Sequence, residues 1–213
     1  SVEGSLKRLE TDYLDIYFCH RFDPEAPIDE IVRAMDDLVH QGKILYWGTS
    51  VWTAAQIESA IGTAIKYNAY PPQVEQPRYN MLDRHIEPEI IPTCAKHGIG
   101  ITVFSPLAQG ILTGKYNNGI PEGSRATWSE WLKNELTEDN IEKVRKLTEL
   151  AKELGLTMSQ LALAWILRRP EITSAIAGAS KPDQLKENLR AGDITLTQDV
   201  LDEIENILMN APK

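Results

Sequence analysis

The sequence predicts an α/β fold of the (β/α)8 TIM-barrel class with only about the last five strands present, an incomplete and open barrel. Three observations carry this expectation. Short apolar runs alternate with helical patterns at intervals of roughly thirty residues, the grammar of repeated βα units. Four of these runs end in a polar side chain: residues 13–19 in His20, 44–49 in Ser50, 73–75 in Gln76 and 101–104 in Ser105. Barrels of this class collect their site groups at the carboxyl ends of the strands. About five strands are legible where a closed barrel needs eight and typically ~250 residues.

The elements follow in order. Residues 1–9 read as the end of a helix, with Leu6 and Leu9 three apart. A strand at 13–20 and a Pro-containing loop at 23–27 lead to a helix at 28–40, with Ile31, Met35, Leu38 and Val39 on one face and Gln41-Gly42 ending it. After the strand at 44–50, Thr53 caps a helix to about Tyr67 that turns Ile57, Ala60, Ile61, Ala64 and Ile65 inward. Pro71-Pro72 introduces the strand 73–75, and a helix from about Glu87 to His97, closed by Gly98, precedes the strand 101–104. Helices at 137–154 and 159–169 carry caps at Thr137 and Thr157 with a Gly155 stop between them. A last strand at 174–177, a helix at 182–190 and an amphipathic carboxyl-terminal helix at 198–210 complete the pattern. The segment 105–131 departs from it, being rich in Gly, Pro, Asn and Ser and too long for an ordinary βα connection.

The 213 residues and 42% hydrophobic content suit one domain with a sizeable core. A net charge of −9 leaves no global basic field for nucleic acid. No apolar run approaches the ~20 residues of a membrane span, and no signal-peptide pattern opens the chain. Cys19 lies in a strand and Cys94 in a helix without metal-ligand spacing, so they read as buried reduced thiols of a cytoplasmic protein. No carboxylate pair or His/Cys cluster points to a metal. An open sheet exposes two strand edges, which invite pairing. The chain is therefore expected to be the carboxyl-terminal part of a larger barrel, with a further amino-terminal segment or another chain as partner at those edges.

Five motifs in order resemble the aldo-keto reductases. They are Asp15-Ile16-Tyr17-Phe18-Cys19-His20, Tyr46-Trp47-Gly48-Thr49-Ser50, Glu75-Gln76 with Tyr79-Asn80, Phe104-Ser105-Pro106-Leu107, and Gly178-Ala179-Ser180 with Gln184, Glu187 and Asn188. Within that superfamily the chain is most similar to the branch holding the voltage-gated potassium channel beta subunits and their bacterial enzyme relatives. The resemblance implies NADPH-dependent reduction of a small aldehyde or ketone. It also implies that the family's Asp, Tyr and Lys lie on early strands upstream of this chain. His20 is the one member of that tetrad present, the substrate-orienting residue where the channel subunits carry asparagine. By itself a histidine at a strand end more often suits a core or loop position satisfied by a carbonyl, and the resemblance reverses that preference.

The resemblance assigns the cofactor residues, each with a plainer alternative. Ser50 and Gln76 match residues that hold the nicotinamide carboxamide, or are strand-end caps. Val51 departs from the pattern, since relatives place Asn or Arg there. Phe104 matches an aromatic stacked on the nicotinamide, or is a core residue. Ser105, Pro106, Leu107, Ala108, Gln109, Lys115 and Arg125 belong to the segment 105–136 that folds over the pyrophosphate, or form a solvated loop with two incidental cations. Gly178, Ser180, Gln184, Glu187 and Asn188 match residues around the 2′-phosphate and adenine, favouring NADP(H), with Lys181 adding charge. Free N–H groups and the dipole at the helix start after Gly-x-Ser attract anions, although that pattern is common and weak alone. Trp128 and Trp131 suit substrate contact or simple packing. Two alternatives to the enzyme remain: a non-catalytic NADP-binding subunit similar to the channel beta subunits, and an inactive truncated fragment.

Overall fold

A computed structural model of the chain describes residues 1–212. The chain divides into two compact units, one of Ser1–Pro77 with Glu87–Thr102, the other of Arg78–Ile86 with the chain from Val103 onward. Five parallel strands form one open sheet in chain order, β1 (Leu14–Cys19), β2 (Ile44–Thr49), β3 (Val74–Glu75), β4 (Gly100–Val103) and β5 (Ile172–Ala175). The alternating, unclosed α/β architecture is the one the sequence predicts.

In the first unit, helices α1 (Val2–Leu9), α2 (Ile28–His40), α3 (Ala54–Tyr67) and α4 (Ile90–His97) alternate with the strands. The register sets the strand tips level: Cys19 stands beside Thr49, Thr49 beside Glu75, and Glu75 beside Ile101. The residues one step further on are therefore His20, Ser50 and Gln76. Gly48 permits this close pairing, because a Cβ there would lie 2.5 Å from the Val74 carbonyl oxygen and 2.9 Å from the Phe18 ring. Thr53 begins α3 with a full capping box, its hydroxyl accepting from the Gln56 N–H while the Gln56 side chain accepts from the Thr53 N–H.

The second unit holds β5 with α5 (Glu130–Glu135), α6 (Glu138–Glu153), α7 (Met158–Leu167), α8 (Pro182–Leu189) and α9 (Gln198–Leu208). Its core is α7, buried on every face from Met158 to Ile166, with Trp165 stacked on Tyr79 at 5.3 Å between ring centroids. The predicted caps Thr137 and Thr157 accept hydrogen bonds from the N–H groups of Asn140 and Gln160. Ile176 joins β5 to β4 by donating its N–H to the Val103 carbonyl at 2.8 Å.

Several local expectations are corrected. Ile65 and Leu9 are 75% and 64% exposed, and Val32 joins Met35 in the buried face of α2. Helix α4 starts at Ile90 rather than Glu87, because Pro88 disfavours helical geometry in the residue before it. β5 occupies Ile172–Ala175, two residues earlier than predicted. Most consequentially, 105–136 is not an irregular loop. It contains 3-10 turns at Ala108–Thr113 and Arg125–Thr127 and the short helix α5. Glycine and serine there cap and bend these turns rather than dissolve them: Gly110 has φ +102°, Gly114 has φ +76°, and Ser129 caps α5.

Candidate functional site

In the first unit the strand tips carry a connected set of hydrogen bonds. Ser50, buried, donates from Oγ to the Gln76 carbonyl at 2.9 Å and accepts from Arg21 Nη1 at 3.1 Å. The same Arg21 nitrogen donates to the His20 carbonyl at 2.5 Å, so one guanidinium spans the tips of β1 and β2. His20 itself is exposed. Beneath these tips lies Glu75, fully buried and accepting from Thr49 Oγ1 at 2.5 Å, the Val51 N–H at 2.7 Å and, more weakly, the Trp52 N–H at 3.4 Å. Burial pushes its carboxyl group above the usual range, against these hydrogen bonds and the charge of Arg21. Val51, which follows Ser50, sits at φ +58°. That is a left-handed conformation disfavoured for a β-branched residue.

In the second unit a cleft of about 720 Å³ opens beside the carboxyl end of β5. Ser105, Pro106, Leu107, Gln109, Lys115, Arg125, Gly178, Ser180, Gln184, Glu187 and Asn188 all line it, residues drawn from stretches separated by some fifty positions of sequence. Phe104 and Ala108 stand outside this lining; Phe104 is bridged to Arg78, and Ala108 is fully buried. The cleft wall is shaped by backbone in unusual conformations, with Ser105, Gln109 and Gly110 at φ +52°, +55° and +102°. A side chain at Gly110 would meet Lys115 Nζ at 2.8 Å, so the glycine leaves room for that ammonium group. Asn80 fixes one edge, donating from Nδ2 to the Ser105 carbonyl at 3.1 Å while its Oδ1 accepts from the Leu82 and Asp83 N–H groups.

The cleft is suited to an anion. Lys115 and Arg125 supply positive charge, and α8 begins there with Pro182 in its first turn. Ser180 is held at that start, its N–H and hydroxyl donating to Gln184 Oε1 at 2.9 and 3.0 Å. Gln109 contributes a buried Nε2 with no partner among the described residues, a donor that a bound oxygen would satisfy. The residues present thus fit a phosphate-bearing cofactor. Thr113, Ser159, Ile176 and Ala177 also line the cleft, and only their proximity to the motifs marks them in the sequence. At the strand tips Arg21 adjoins His20 but belongs to none of the motifs, and Glu75 belongs to the motif Glu75-Gln76 without a role of its own.

Trp128 and Trp131 are 69% and 49% exposed. Arg78 lies 4.9 Å from the Trp131 ring and pairs with Glu135 at 2.7 Å, which anchors α5. Cys19 and Cys94 are free thiols, Cys19 only half-buried, and burial pushes their pKa values up to about 11 and about 12. Among the described residues no cluster of three or more His, Cys, Asp or Glu is placed to hold a metal. No helix among them is long and apolar enough to cross a membrane.

Comparison with known proteins agrees with this architecture. The chain is 46% identical over 222 residues to a probable voltage-gated potassium channel subunit beta of Arabidopsis thaliana, spanning 100% of this chain and 68% of that protein. It is 45% identical to a putative voltage-gated potassium channel subunit beta of Schizosaccharomyces pombe and 43% identical to a probable one of Oryza sativa subsp. japonica, spanning 64% and 67% of their lengths. The model of the aldo/keto reductase family matches residues 1–209. With this match over residues 1–209 and relatives at 43–46% identity, the chain belongs to the aldo/keto reductase family.

Proposed function

We propose that this chain binds NADP(H) and forms part of a reductase that converts small aldehydes or ketones to alcohols. The observation that carries the reading is the cleft of the second unit. It gathers Lys115, Arg125, Ser180 and the Gln109 Nε2 that has no partner among the described residues, a donor set suited to phosphate oxygens. When bound, the cofactor supplies the hydride. Lys115 and Arg125 would neutralise the phosphates, and Ser180, Gln184, Glu187 and Asn188 would meet the adenosine 2′-phosphate end. Ser50 and Gln76 would belong to the nicotinamide end, and Phe104 would flank that ring.

His20 is the residue assigned to the substrate. As a neutral imidazole it can donate to a carbonyl oxygen and favour the negative charge that develops there. The resemblance puts the tyrosine acid with its lysine and aspartate outside these 213 residues. That general acid contributes typically ~10²- to 10⁴-fold, so this stretch alone should bind far better than it turns over. A cytoplasmic setting suits its two free thiols. The outer strands β1 and β5 would take an amino-terminal segment or another chain as neighbours.

A second reading, a cofactor-binding subunit of a larger assembly, is favoured by the descriptions of the three relatives as channel subunits. The two readings share the cleft and part at His20, which has no role in the second.

Titration with NADPH and with adenosine 2′,5′-bisphosphate, followed by calorimetry, tests the shared part. Both ligands should bind saturably, and Lys115→Ala or Arg125→Ala should weaken each by about 10- to 100-fold, the loss of one charge-assisted contact. Saturable binding unaffected by either substitution would place the phosphates elsewhere and remove this reading.

A further inference from the structure

We propose that Glu75 is a positioning residue for the nicotinamide end of the cofactor, acting through the turn that carries Ser50; the inference rests on the NADP(H) reading. Glu75 is fully buried, and its neighbours explain why a carboxylate is kept there. Each oxygen has a separate task. Oε2 accepts from the Thr49 hydroxyl, and Oε1 accepts from the Val51 N–H at 2.7 Å with the Trp52 N–H at 3.4 Å. These donors come from the end of β2 and the turn into α3, and Ser50 lies between them.

That turn does not hold itself. Val51 at φ +58° is in a left-handed conformation disfavoured for a non-glycine residue, and its neighbours must impose it. The hydrogen bond from its own N–H to Glu75 is the contact that does so. The turn has few alternatives, because Thr53 is already committed to the capping box of α3. Glu75 also pairs through its backbone with Thr49 on one side and Ile101 on the other. Its side chain therefore refers the Ser50 turn to the rigid centre of the sheet. The next residue, Gln76, is fixed by the same register, with its N–H donating to the Thr49 carbonyl at 2.8 Å.

The consequence is a division of labour in Ser50. Its hydroxyl proton points to the Gln76 carbonyl and its lone pair receives Arg21. Both contacts require the turn to stay where Glu75 holds it. Loss of the carboxylate would free Val51 to relax, swing Ser50 away from Gln76 and break the shared geometry of the two tips. The adenosine and phosphate contacts, all made by residues of the cleft lining, would be left alone.

The test compares two ligands. Adenosine 2′,5′-bisphosphate reads the cleft only, whereas NADPH also reads the strand tips. In Glu75→Ala the bisphosphate should bind as in the wild type while NADPH weakens about tenfold and its nicotinamide fluorescence change is lost, the size expected for one charge-assisted contact. Glu75→Gln keeps an acceptor for the Val51 N–H and should restore NADPH affinity to within about threefold. Thr49→Val, a milder change with the same shape, should show the same selective loss at about threefold and serves if Glu75→Ala does not fold. Unchanged NADPH affinity in these variants, or equal loss of both ligands, overturns the proposal. If the wild type binds neither ligand, the NADP(H) reading fails instead. Amide exchange then decides on Glu75: faster exchange at Val51 and Trp52 in Thr49→Val supports its hold on the turn, and unchanged exchange overturns it.

Discussion

Val51 carries left-handed backbone strain at the tip of β2. Its side chain is 38% exposed, so little packing repays a left-handed β-branched backbone. Asparagine tolerates that conformation far better. Val51→Asn should therefore stabilise the chain by about 1 kcal/mol, seen as a thermal midpoint raised by about 2–4 °C. A lowered midpoint would mean that Val51 contributes packing worth more than its strain. Relatives are expected to carry Asn or Arg at this position, and the conformation supplies a physical reason for the asparagine. The valine leaves the polar work at this tip to Ser50, Gln76 and the unforeseen Arg21, whose guanidinium already contacts Ser50.

At the scale of elements, α5 shows how tertiary contacts create structure that local sequence does not favour. Six residues are too few to form a stable helix alone, since nucleation is costly and only short propagation follows. Ser129 caps it, Leu132 is fully buried, and Arg78 holds it from outside by pairing with Glu135 and lying against Trp131. Arg78 also approaches Asp83 at 3.4 Å, which ties α5 to the turn at Asn80. Arg78→Ala should leave α6 and α7 intact but accelerate amide exchange across Glu130–Glu135 by at least about tenfold, the loss of a half-buried ion pair and a cation–π contact. Exchange no faster than in the wild type would show that Ser129 and Leu132 suffice.

For the whole molecule, stability should carry two opposed pH dependences. Burial raises the Glu75 carboxyl group in the folded state. It binds its proton more tightly than in the unfolded chain, so its contribution to stability falls as pH rises above the ordinary glutamate value of about 4.3. Asp83 is the reverse case. Burial pushes it up, but the hydrogen bond and charge of His85 and the charge of Arg78 outweigh this and hold it below the usual aspartate range. Its contribution is present above the unfolded value of about 3.9 and is lost as pH falls through the depressed one. Urea unfolding across pH 3–8 reads both. Glu75→Gln should remove the decline on the alkaline side of the glutamate range, and Asp83→Asn should remove part of the acid loss. A Glu75→Gln profile parallel to the wild type would show that its proton affinity is the same folded and unfolded.

Alternation of short apolar runs with amphipathic helices was legible in the chain because it reports a local period, and that period placed five strands and eight of the nine helices described among residues 1–212. Caps such as Thr53, Thr137 and Thr157 were equally legible, since a cap is written within four residues. The motifs marked His20, Ser50, Gln76 and the residues of the cleft one by one. Only the tertiary structure decided which of them share a surface. It gathered Ser105, Lys115, Arg125 and Ser180 around one cleft, left Phe104 and Ala108 outside its lining, and ordered α5 within a stretch that reads as loop. It also brought Arg21 to Ser50 across 29 positions and Glu75 beneath Val51 across 24. Such contacts are set by strand register and burial, quantities that depend on partners far away in the chain and leave no periodic trace in the local sequence.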